Sequence, residues 1–398
     1  MNERSIKESC CELAEKLESM KIPYYFDKES SAILQGVTFP KYINIITIYV
    51  QWDLIQDVYD QFQSFSPSPI IKDMRVSYFQ FYMGDLFVEI KAMHNTTIRT
   101  NPYLITVELN NRSISCLSIY AMIFDVLVDN DMKTAIHQYL NKKQENMNEQ
   151  NQLAWNQNQF EALVKRYGRP EERVEKIKNN PSWTLHPFYK YFGDVQGKNI
   201  VHLLGSNGIK ATALSILGAD VTVIDFSKEN EQYARLLAEE SGQSVKYINQ
   251  DLLQVNDDLN GTFDIAFMEL GVLHYFLDLH MLFKKVSSLL KQGGLFILHE
   301  FHPVSTKLIT SKGKKHKVTG NYFNPSIIES DVAFAKLIDE KDQLQKVYHR
   351  KWTLGEIITA MASEQLQVQI LEEEPNHKLD DIGIPKTFTA VAKKIKLD

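Results

Sequence analysis

The sequence has few cysteines, and they are not arranged as a metal site or a disulfide framework. Only three occur: Cys10 and Cys11 are adjacent and Cys116 is remote. Neither Cys-x-x-Cys nor a His/Cys cluster with zinc-like spacing is present in the sequence. We therefore predict no bound metal ion and no structural disulfide.

Long apolar runs and an excess of basic charge are also missing. No stretch approaches 18 uninterrupted apolar residues, and the charged start MNERSIKESCCELAEK has no apolar core of a secretion signal. The formal net charge of −6 disfavours a nucleic-acid binder, which usually carries a basic face. These absences predict a cytoplasmic protein without membrane or nucleic-acid partners, and they are compatible with a homo-oligomer.

What is present is a globular composition long enough for two domains. The 398 residues are 44% hydrophobic and 24% charged. Residues 141–152 (NKKQENMNEQNQ) have almost nothing to bury, so they are either a solvated helix extension or a linker. We place the boundary there and predict an α+β domain over 1–140, a polar linker over 141–152 and a second domain over 153–398.

The second domain shows apolar, β-rich runs that alternate with amphipathic helical segments. The predicted strands are 199–204, 220–224, 245–249, 262–268 and 295–300, with helices at 209–217, 228–240 and 277–290. This alternation predicts a doubly wound parallel sheet. Two further β-rich runs, 366–371 and 387–393, have no crossover helix between them, so they should pair antiparallel. An ordinary dinucleotide-binding domain would instead end on another parallel unit.

A glycine turn, Gly205-Ser206-Asn207-Gly208, follows the first of these strands. The turn lacks the full G-x-G-x-x-G, which a dinucleotide uses to seat its pyrophosphate on a helix N-terminus. S-adenosylmethionine has no phosphate, so a looser turn suffices for it. The alternative is that the two glycines serve only close packing between strand and helix.

Acidic residues end the next three strands. Asp225 lies twenty residues after Gly205, where a carboxylate can accept hydrogen bonds from both ribose hydroxyls. Asp251 can receive an adenine amino group while Leu252 packs on the ring, and Glu269 lies where the methionine part would be. The alternatives are that Asp225 only neighbours a helix cap and that Asp251 is an ordinary loop residue.

Residues 150–396 resemble class I S-adenosylmethionine-dependent methyltransferases. The motifs that carry the resemblance are His202-Leu203 with Gly208, Leu217-Gly218-Ala219, Val223-Ile224-Asp225-Phe226-Ser227, Gly271-Val272-Leu273-His274, Gln292-Gly293-Gly294, Glu300-Phe301-His302-Pro303 and Trp352-Thr353-Leu354-Gly355-Glu356-Ile357. Two departures are Asn207 and Ile209, which replace the second and third glycines of the usual G-x-G-x-G. The resemblance implies a Rossmann-like, seven-stranded α/β sheet whose final strand is antiparallel.

The same resemblance implies S-adenosyl-L-methionine as the cofactor. The candidate cofactor-binding residues are Gly205, Ser206, Asn207, Gly208, Asp225, Phe226, Ser227, Asp251, Leu252, Glu269 and Leu270. Trp155 and Tyr189 are similar to residues of the N-terminal helices that close over the cofactor in such enzymes, and core packing is the alternative for each.

The predicted reaction is transfer of a methyl group to an oxygen or nitrogen atom of a small molecule or natural product. Such a transfer needs alignment and, for a hydroxyl or ammonium acceptor, a base. The candidates for that base are His274, Glu300 and His302; alternatively, His302 only turns the chain and Glu300 pairs with a lysine. The polar stretch 305–350 is a lid-like insertion. The alternatives are a non-catalytic S-adenosylmethionine-binding or partner-recruiting protein and, disfavoured by the glycine turn, an NAD-dependent oxidoreductase.

The first domain resembles a minimal nucleotidyltransferase. Its helix over about 5–20, strand-like segment 22–37, apolar run 44–50, helix from Trp52 and run 85–93 follow that order. In that family a D-x-D pair on the strand matching 44–50 holds magnesium, and Ile45 and Thr47 stand there instead. Only Glu89 could supply the third carboxylate. The resemblance therefore implies an inactive nucleotidyltransferase-like domain, and an unrelated α+β domain is the alternative.

Overall fold

A computed structural model of the chain describes residues 3–312, 315–338, 343–376 and 383–396. The chain folds into two compact units. The first consists of Met1–Leu140 with Phe323–Pro325, and the second of Asn141–Tyr322 with Ser326–Asp398. None of the helices in the described ranges combines the length and the apolar character that a membrane span requires.

The first unit is built on a mixed sheet of order β3-β4-β5-β2-β1-β7-β6. Alternation of buried and half-exposed residues along its strands gives one apolar face, which packs on α1 in a single core cluster. Its elements are α1 (Glu3–Ser19), β1 (Tyr24–Asp27), α2 (Lys28–Leu34), β2 (Ile45–Val50), α3 (Ile55–Gln61), β3 (Ile71–Lys72), β4 (Val76–Met83), β5 (Leu86–Met93), β6 (Leu104–Leu109), β7 (Arg112–Leu117), α4 (Ile119–Phe124) and the start of α5 (Asn130–Trp155).

The strand-like interpretation of 22–37 is wrong after Asp27. The side chain of Asp27 accepts a hydrogen bond from the backbone N–H of Lys28 and caps α2, which continues to Leu34. A polar cap can start a helix inside an apolar, β-rich segment because it satisfies a backbone donor that the first turn leaves without a partner.

The interpretation of residues 141–152 as a linker is also wrong, because they lie in the second half of α5. Two of the polar side chains are buried, Gln144 at 2% and Asn151 at 0% exposure. Gln144 Oε1 accepts the backbone N–H of Leu277 at 2.6 Å, and Asn151 makes hydrogen bonds with both the N–H and the carbonyl of Tyr348. A side-chain amide carries both a donor and an acceptor, so it can be buried against backbone groups without apolar packing.

The second unit contains the sheet that the sequence predicts. Its strand order is β10-β9-β8-β11-β12-β18-β17; the first five strands are parallel, and β18 runs antiparallel to both β12 and β17. The elements are α6 (Gln159–Tyr167), α7 (Pro170–Asn179), α8 (Pro181–Thr184), β8 (Asn199–Leu203), α9 (Ile209–Ile216), β9 (Asp220–Asp225), α10 (Lys228–Ser241), β10 (Val245–Asn249), β11 (Phe263–Glu269), α11 (Leu279–Leu289), β12 (Leu290–Phe301), β13 (Ile309–Lys312), β14 (Lys315–Val318), β15 (Ile327–Ser330), β16 (Val347–Arg350), α12 (Leu354–Ser363), β17 (Leu366–Pro375) and β18 (Pro385–Lys394). The predicted seven-stranded sheet with an antiparallel final strand is confirmed.

Parallel strands bring the polar ends of β8, β9, β11 and β12 to one edge of this sheet. Asp225 ends β9, and Glu269 ends β11 opposite His299 of β12. Ligands of open α/β sheets bind at this edge, because the connections between strands diverge there and leave a crevice. The insertion 305–350 forms the two antiparallel pairs β13–β14 and β15–β16. Residues 313–314 and 339–342 of the insertion lie outside the described residues.

Candidate active site

A cavity of about 630 Å³ opens at the carboxyl ends of β8, β9 and β11, within the usual size range of small-ligand sites. Eight of the predicted site residues line it: Gly205, Ser206, Asn207, Asp225, Phe226, Glu269, Leu270 and His274. Other lining residues did not figure in the prediction of the site, among them Tyr167, Arg173, Lys210, Phe301 and His349. Ser330, Asp331, Ala333, Phe334 and His349 belong to the insertion 305–350, which therefore forms part of the wall.

The glycine turn brings its backbone close to β8 and β9. A Cβ atom on Gly205 would lie 2.7 Å from Nδ1 of His202 and 2.9 Å from Cγ1 of Val223, so only glycine fits. Gly208 has a φ of +73° and would meet Cβ of Ala234 at 2.6 Å, but it does not line the cavity. The second glycine thus serves close packing of the turn against α10, and the first serves close packing against β8 and β9 at the cavity wall.

Substituting Gly205 by alanine should destabilise the protein and weaken cofactor binding together. The new methyl group would displace the His202 ring or Val223, and overpacking of this kind costs about 1–3 kcal/mol. The check is the free energy of unfolding in urea with a parallel titration of S-adenosylhomocysteine. Gly355→Ala is the matched control, because a Cβ there meets nothing within 4 Å and alanine favours the helix. Equal behaviour of the two variants would contradict the close packing at the turn.

Asp225 is a buried carboxylate at the cavity wall. Its oxygens accept the backbone N–H groups of Ser206 at 3.0 Å and Ser227 at 2.9 Å, with Asn230 Nδ2 at 3.5 Å. Burial raises its pKa to about 6, although these hydrogen bonds oppose the shift. The group is therefore held in one orientation and is a carboxylate at neutral pH, which is what acceptance of two hydroxyl hydrogen bonds requires.

Asp251 and Leu252 line a separate, narrow cavity of about 20 Å³ rather than the main one. Asp251 Oδ2 accepts Nδ2 of Asn148 at 2.7 Å, and Oδ1 accepts the backbone N–H of Leu253. The narrow cavity shares Asp225, Phe226 and other residues with the larger one, so the two adjoin. Asp251 and Leu252, the residues predicted to contact adenine, thus lie next to the main cavity.

Glu269 and Lys210 face the cavity at the end next to the glycine turn. Burial raises the pKa of Glu269, and the charge of Lys210 opposes that shift. His202 Nε2 lies 3.9 Å from Glu269, but burial lowers the pKa of His202 to about 3, so this contact is not an ion pair. A carboxylate here can receive an ammonium group, and Arg173, which also lines the cavity, can receive a carboxylate.

Two further residues predicted at the cofactor lie elsewhere. Ser227 is fully buried; its hydroxyl caps α10 by accepting the N–H of Asn230 and donates to the carbonyl of Trp155. Tyr189 packs against the core cluster on one face of the sheet, whereas Trp155 lines the cavity. For Tyr189 the alternative interpretation, packing in the core, is therefore the right one.

His274 and His349 meet at the wall of the cavity. Their ring centroids are 4.8 Å apart in an edge-to-face arrangement, and both rings line the cavity. Burial lowers the pKa of His274 to about 3 and that of His349 to about 4, so both are neutral near pH 7. Neither nitrogen of His349 has a hydrogen-bond partner among the described residues. A neutral, unpartnered imidazole can accept a proton from a bound hydroxyl group.

Sequence reasoning missed His349 because it lies in the insertion, in the short strand β16. Its sequence, VYHR, carries no motif. The nearest signal was position: the strand comes just before the segment beginning at Trp352, whose indole N–H donates to the carbonyl of Leu273 at 3.1 Å.

Glu300 and His302, the other two candidate bases, have structural partners. The Glu300 carboxylate accepts the backbone N–H groups of Gly271 at 2.5 Å, Val272 at 2.9 Å and Leu273 at 3.3 Å, as well as its neighbour's in β12. His302 Nε2 lies 2.7 Å from Glu373, and its Nδ1 accepts a backbone N–H, so Nε2 carries the proton. Neither side chain lines the cavity. Glu300 orients the loop that presents His274.

Removing the Glu300 carboxylate should destabilise this loop strongly. Glu300→Ala leaves buried backbone N–H groups without acceptors, which costs about 2–4 kcal/mol in the free energy of unfolding. Urea unfolding followed by circular dichroism measures the loss. Glu240→Ala, at an exposed side chain of α10, is the control and should change stability by less than about 1 kcal/mol. A similar small effect at Glu300 would refute its anchoring role.

Comparison with known proteins finds similarity to methyltransferases. Residues 203–298 match a family model described as "Methyltransferase domain". Over 135 residues the chain is 28% identical to the ubiquinone biosynthesis O-methyltransferase of Pectobacterium atrosepticum, which covers 34% of this chain and 56% of that protein. The Bordetella pertussis protein of the same name is 25% identical over the same shares. The chain thus spans about half the length of these relatives.

A solved S-adenosylmethionine-dependent methyltransferase from Mesorhizobium loti aligns with a TM-score of 0.44 and 21% identity, covering 54% of this chain and 97% of its own. The match to the family model falls on β8 to β12, the strands that carry the glycine turn, Asp225 and Glu269. The segment from β8 to β12 is therefore similar to a methyltransferase domain.

Proposed function

We propose that the protein transfers a methyl group from S-adenosylmethionine to an oxygen or nitrogen atom of a small molecule. The observation that carries the proposal is a single cavity whose wall combines two kinds of group. The glycine turn and the carboxylates of Asp225 and Glu269 suit the cofactor, and the neutral imidazoles of His274 and His349 suit the acceptor. When bound, S-adenosylmethionine would supply an electrophilic methyl group on its sulfonium sulfur, and S-adenosylhomocysteine would be the leaving group.

Toward the cofactor, the residues of this chain bind and orient. Asp225 accepts the ribose hydroxyls, Glu269 receives the methionine ammonium and Arg173 receives its carboxylate. Asp251 binds the adenine amino group once the Asn148 amide releases it. The turn residues Leu204 and Ser206, with φ of 50° and 47°, and Leu270, with φ of 37°, border the same cavity. Such backbone conformations are costly for non-glycine residues and concentrate at functional sites.

Toward the acceptor, His349 and His274 act on the attacking atom. Because His349 has no protein partner among the described residues, its imidazole can take the proton of an acceptor hydroxyl as the new bond to carbon forms. Phe301, 37% exposed, offers an apolar surface for the acceptor. The insertion 305–350 acts as a lid, since five of its residues form part of the wall.

An oxygen acceptor is favoured over nitrogen. The curated relatives are named O-methyltransferases. A neutral histidine is suited to a hydroxyl, whose proton must leave during attack, whereas a neutral amine can attack before it loses a proton. Hydroxylated aromatic compounds are therefore the first acceptor class to test.

The test is incubation of the full chain with methyl-labelled S-adenosylmethionine and separate panels of phenols, catechols, carboxylic acids and amines. Label recovered in a small-molecule product, with one S-adenosylhomocysteine formed per methyl transferred, supports the function. Binding of S-adenosylhomocysteine without transfer to any panel would favour a non-catalytic binding protein, and absence of binding would overturn the proposal.

For the first unit we propose a nucleotidyltransferase-like domain that does not transfer nucleotides. Strand β2 runs parallel to β5 with Thr47 opposite Glu89, so the predicted metal positions are adjacent. Glu89 forms an ion pair with Lys91 and accepts a hydrogen bond from Gln80, so its negative charge is compensated within the protein. Among the described residues no group of three or more His, Cys, Asp or Glu side chains could hold a metal ion. Incorporation of label from a nucleoside triphosphate in the presence of Mg²⁺ would contradict the proposal.

A further inference from the structure

A second cavity, of about 360 Å³, lies between α7, α8 and the start of α9. Its lining includes three cationic side chains, Arg173, Lys176 and Lys210, and among its described lining residues there is no carboxylate. Arg173 and Lys210 also line the main cavity of the candidate active site, so the two cavities adjoin. Arg173 and Lys176 are three residues apart on α7 and therefore share one face of that helix.

The protein offsets little of the positive charge of these three side chains. Within the described ranges none of the three forms a salt bridge, and Nε of Arg173 is buried without a hydrogen-bond partner. Lys210 donates one hydrogen bond to the carbonyl of Thr184, and the nearby Glu269 offsets a single charge. A buried donor that no protein group satisfies is costly, so it indicates a place where a ligand acceptor binds. A guanidinium has five N–H donors, so Arg173 can bind the cofactor carboxylate with some of them and a second ligand with the others.

We propose that this second cavity binds a phosphate group, distinct from the cofactor. The methionine end of the cofactor brings one carboxylate and one ammonium, which together carry no net charge, whereas a phosphate near pH 7 carries nearly two negative charges. A guanidinium presents a planar fork of donors to phosphate oxygens, and lysines add point charge. The second cavity also has lining residues that the first cavity lacks. They are Lys176, Trp183 and His186.

The phosphate can come from a phosphorylated small molecule or from the free ion. Trp183 is 68% exposed and stacks on His186 with ring centroids 4.8 Å apart. This aromatic surface at the cavity mouth suits an organic group attached to the phosphate. The cavity volume is near the lower end for small-ligand sites, as expected for one phosphate and a small attached group.

The experiment is calorimetric titration of inorganic phosphate and of phenyl phosphate into the full chain, in phosphate-free buffer, with and without saturating S-adenosylhomocysteine. Lys176→Gln should weaken phosphate binding about tenfold, because one charged hydrogen-bond donor is lost. Lys178→Gln is the matched control on the same helix, exposed and outside the cavity, and should leave binding within about twofold. Both variants should bind S-adenosylhomocysteine as the original chain does.

Phosphate binding that persists with S-adenosylhomocysteine bound supports the proposal. Tighter binding of phenyl phosphate, lost in Trp183→Ala, would identify a phosphate ester as the ligand; equal binding of the two probes would identify the free ion. Displacement of phosphate by S-adenosylhomocysteine, or no phosphate binding to the original chain, would overturn it. The proposal is independent of methyl transfer, because the S-adenosylhomocysteine titration tests the cofactor site separately.

Discussion

Asp225→Ala should weaken S-adenosylhomocysteine binding by roughly 10- to 150-fold, or about 1.5–3 kcal/mol, the scale of hydrogen bonds to a charged group. The carboxylate is fixed by two backbone N–H groups and lines the cavity, so its remaining acceptor sites are already oriented for the ribose hydroxyls. Calorimetric titration into the original chain and the variant measures the change. The control is Asp220→Ala, at the exposed other end of the same strand.

The pH dependence of this affinity follows from the same group. Because the pKa of Asp225 is about 6 in the cofactor-free protein, affinity should be constant above that pH and fall below it, by up to about tenfold per pH unit. The fall should vanish in Asp225→Asn. A raised pKa also means that the carboxyl group's contribution to stability is lost as pH rises through 6. We therefore expect Asp225→Asn to remain folded at pH 7. Unchanged affinity in both variants would show that the ribose is bound elsewhere.

His349→Gln should lower kcat for a hydroxyl acceptor about 10²-fold, the usual contribution of a positioned proton acceptor. Affinity for S-adenosylhomocysteine should change by less than about twofold, since His349 is not among the residues that we assign to the cofactor. The measurement is single-turnover methyl transfer to the acceptor identified in the labelled screen. His280→Gln, on α11 and outside the cavity, is the matched control.

The pH dependence of kcat distinguishes His349 from a histidine with the usual pKa. With the pKa of His349 held at about 4 and that of His274 at about 3, kcat at saturating cofactor should show no inflection near pH 6.5. The rate should decline only below about pH 5, as the imidazoles gain protons. A variant that keeps kcat within threefold of the original chain would exclude His349 as the proton acceptor.

Local patterns in the sequence were enough to predict the architecture of the second unit. Apolar strands, crossover helices and a final pair without a crossover can each be recognised locally, and the rules for connecting them leave few topologies. Because parallel strands end at one edge, the same reasoning brought Gly205, Asp225 and Glu269 to one cavity. Each of these residues is identified by its place at a strand end, which periodicity reveals. The nucleotidyltransferase resemblance of the first unit stays a prediction.

Long-range packing selected which of the polar residues face the ligand. His274 and His349 are far apart in sequence, and contact between them depends on how the insertion packs. Glu300 and His302 were equally good bases by type, but their partners are backbone groups and Glu373, which no local pattern shows. The linker prediction for the amide-rich second half of α5 was wrong for the same reason, since its buried hydrogen bonds join it to a distant loop and to β16. Hydrophobic periodicity reports burial of apolar surface, whereas the pairing of buried polar groups depends on the geometry of segments far apart in the chain.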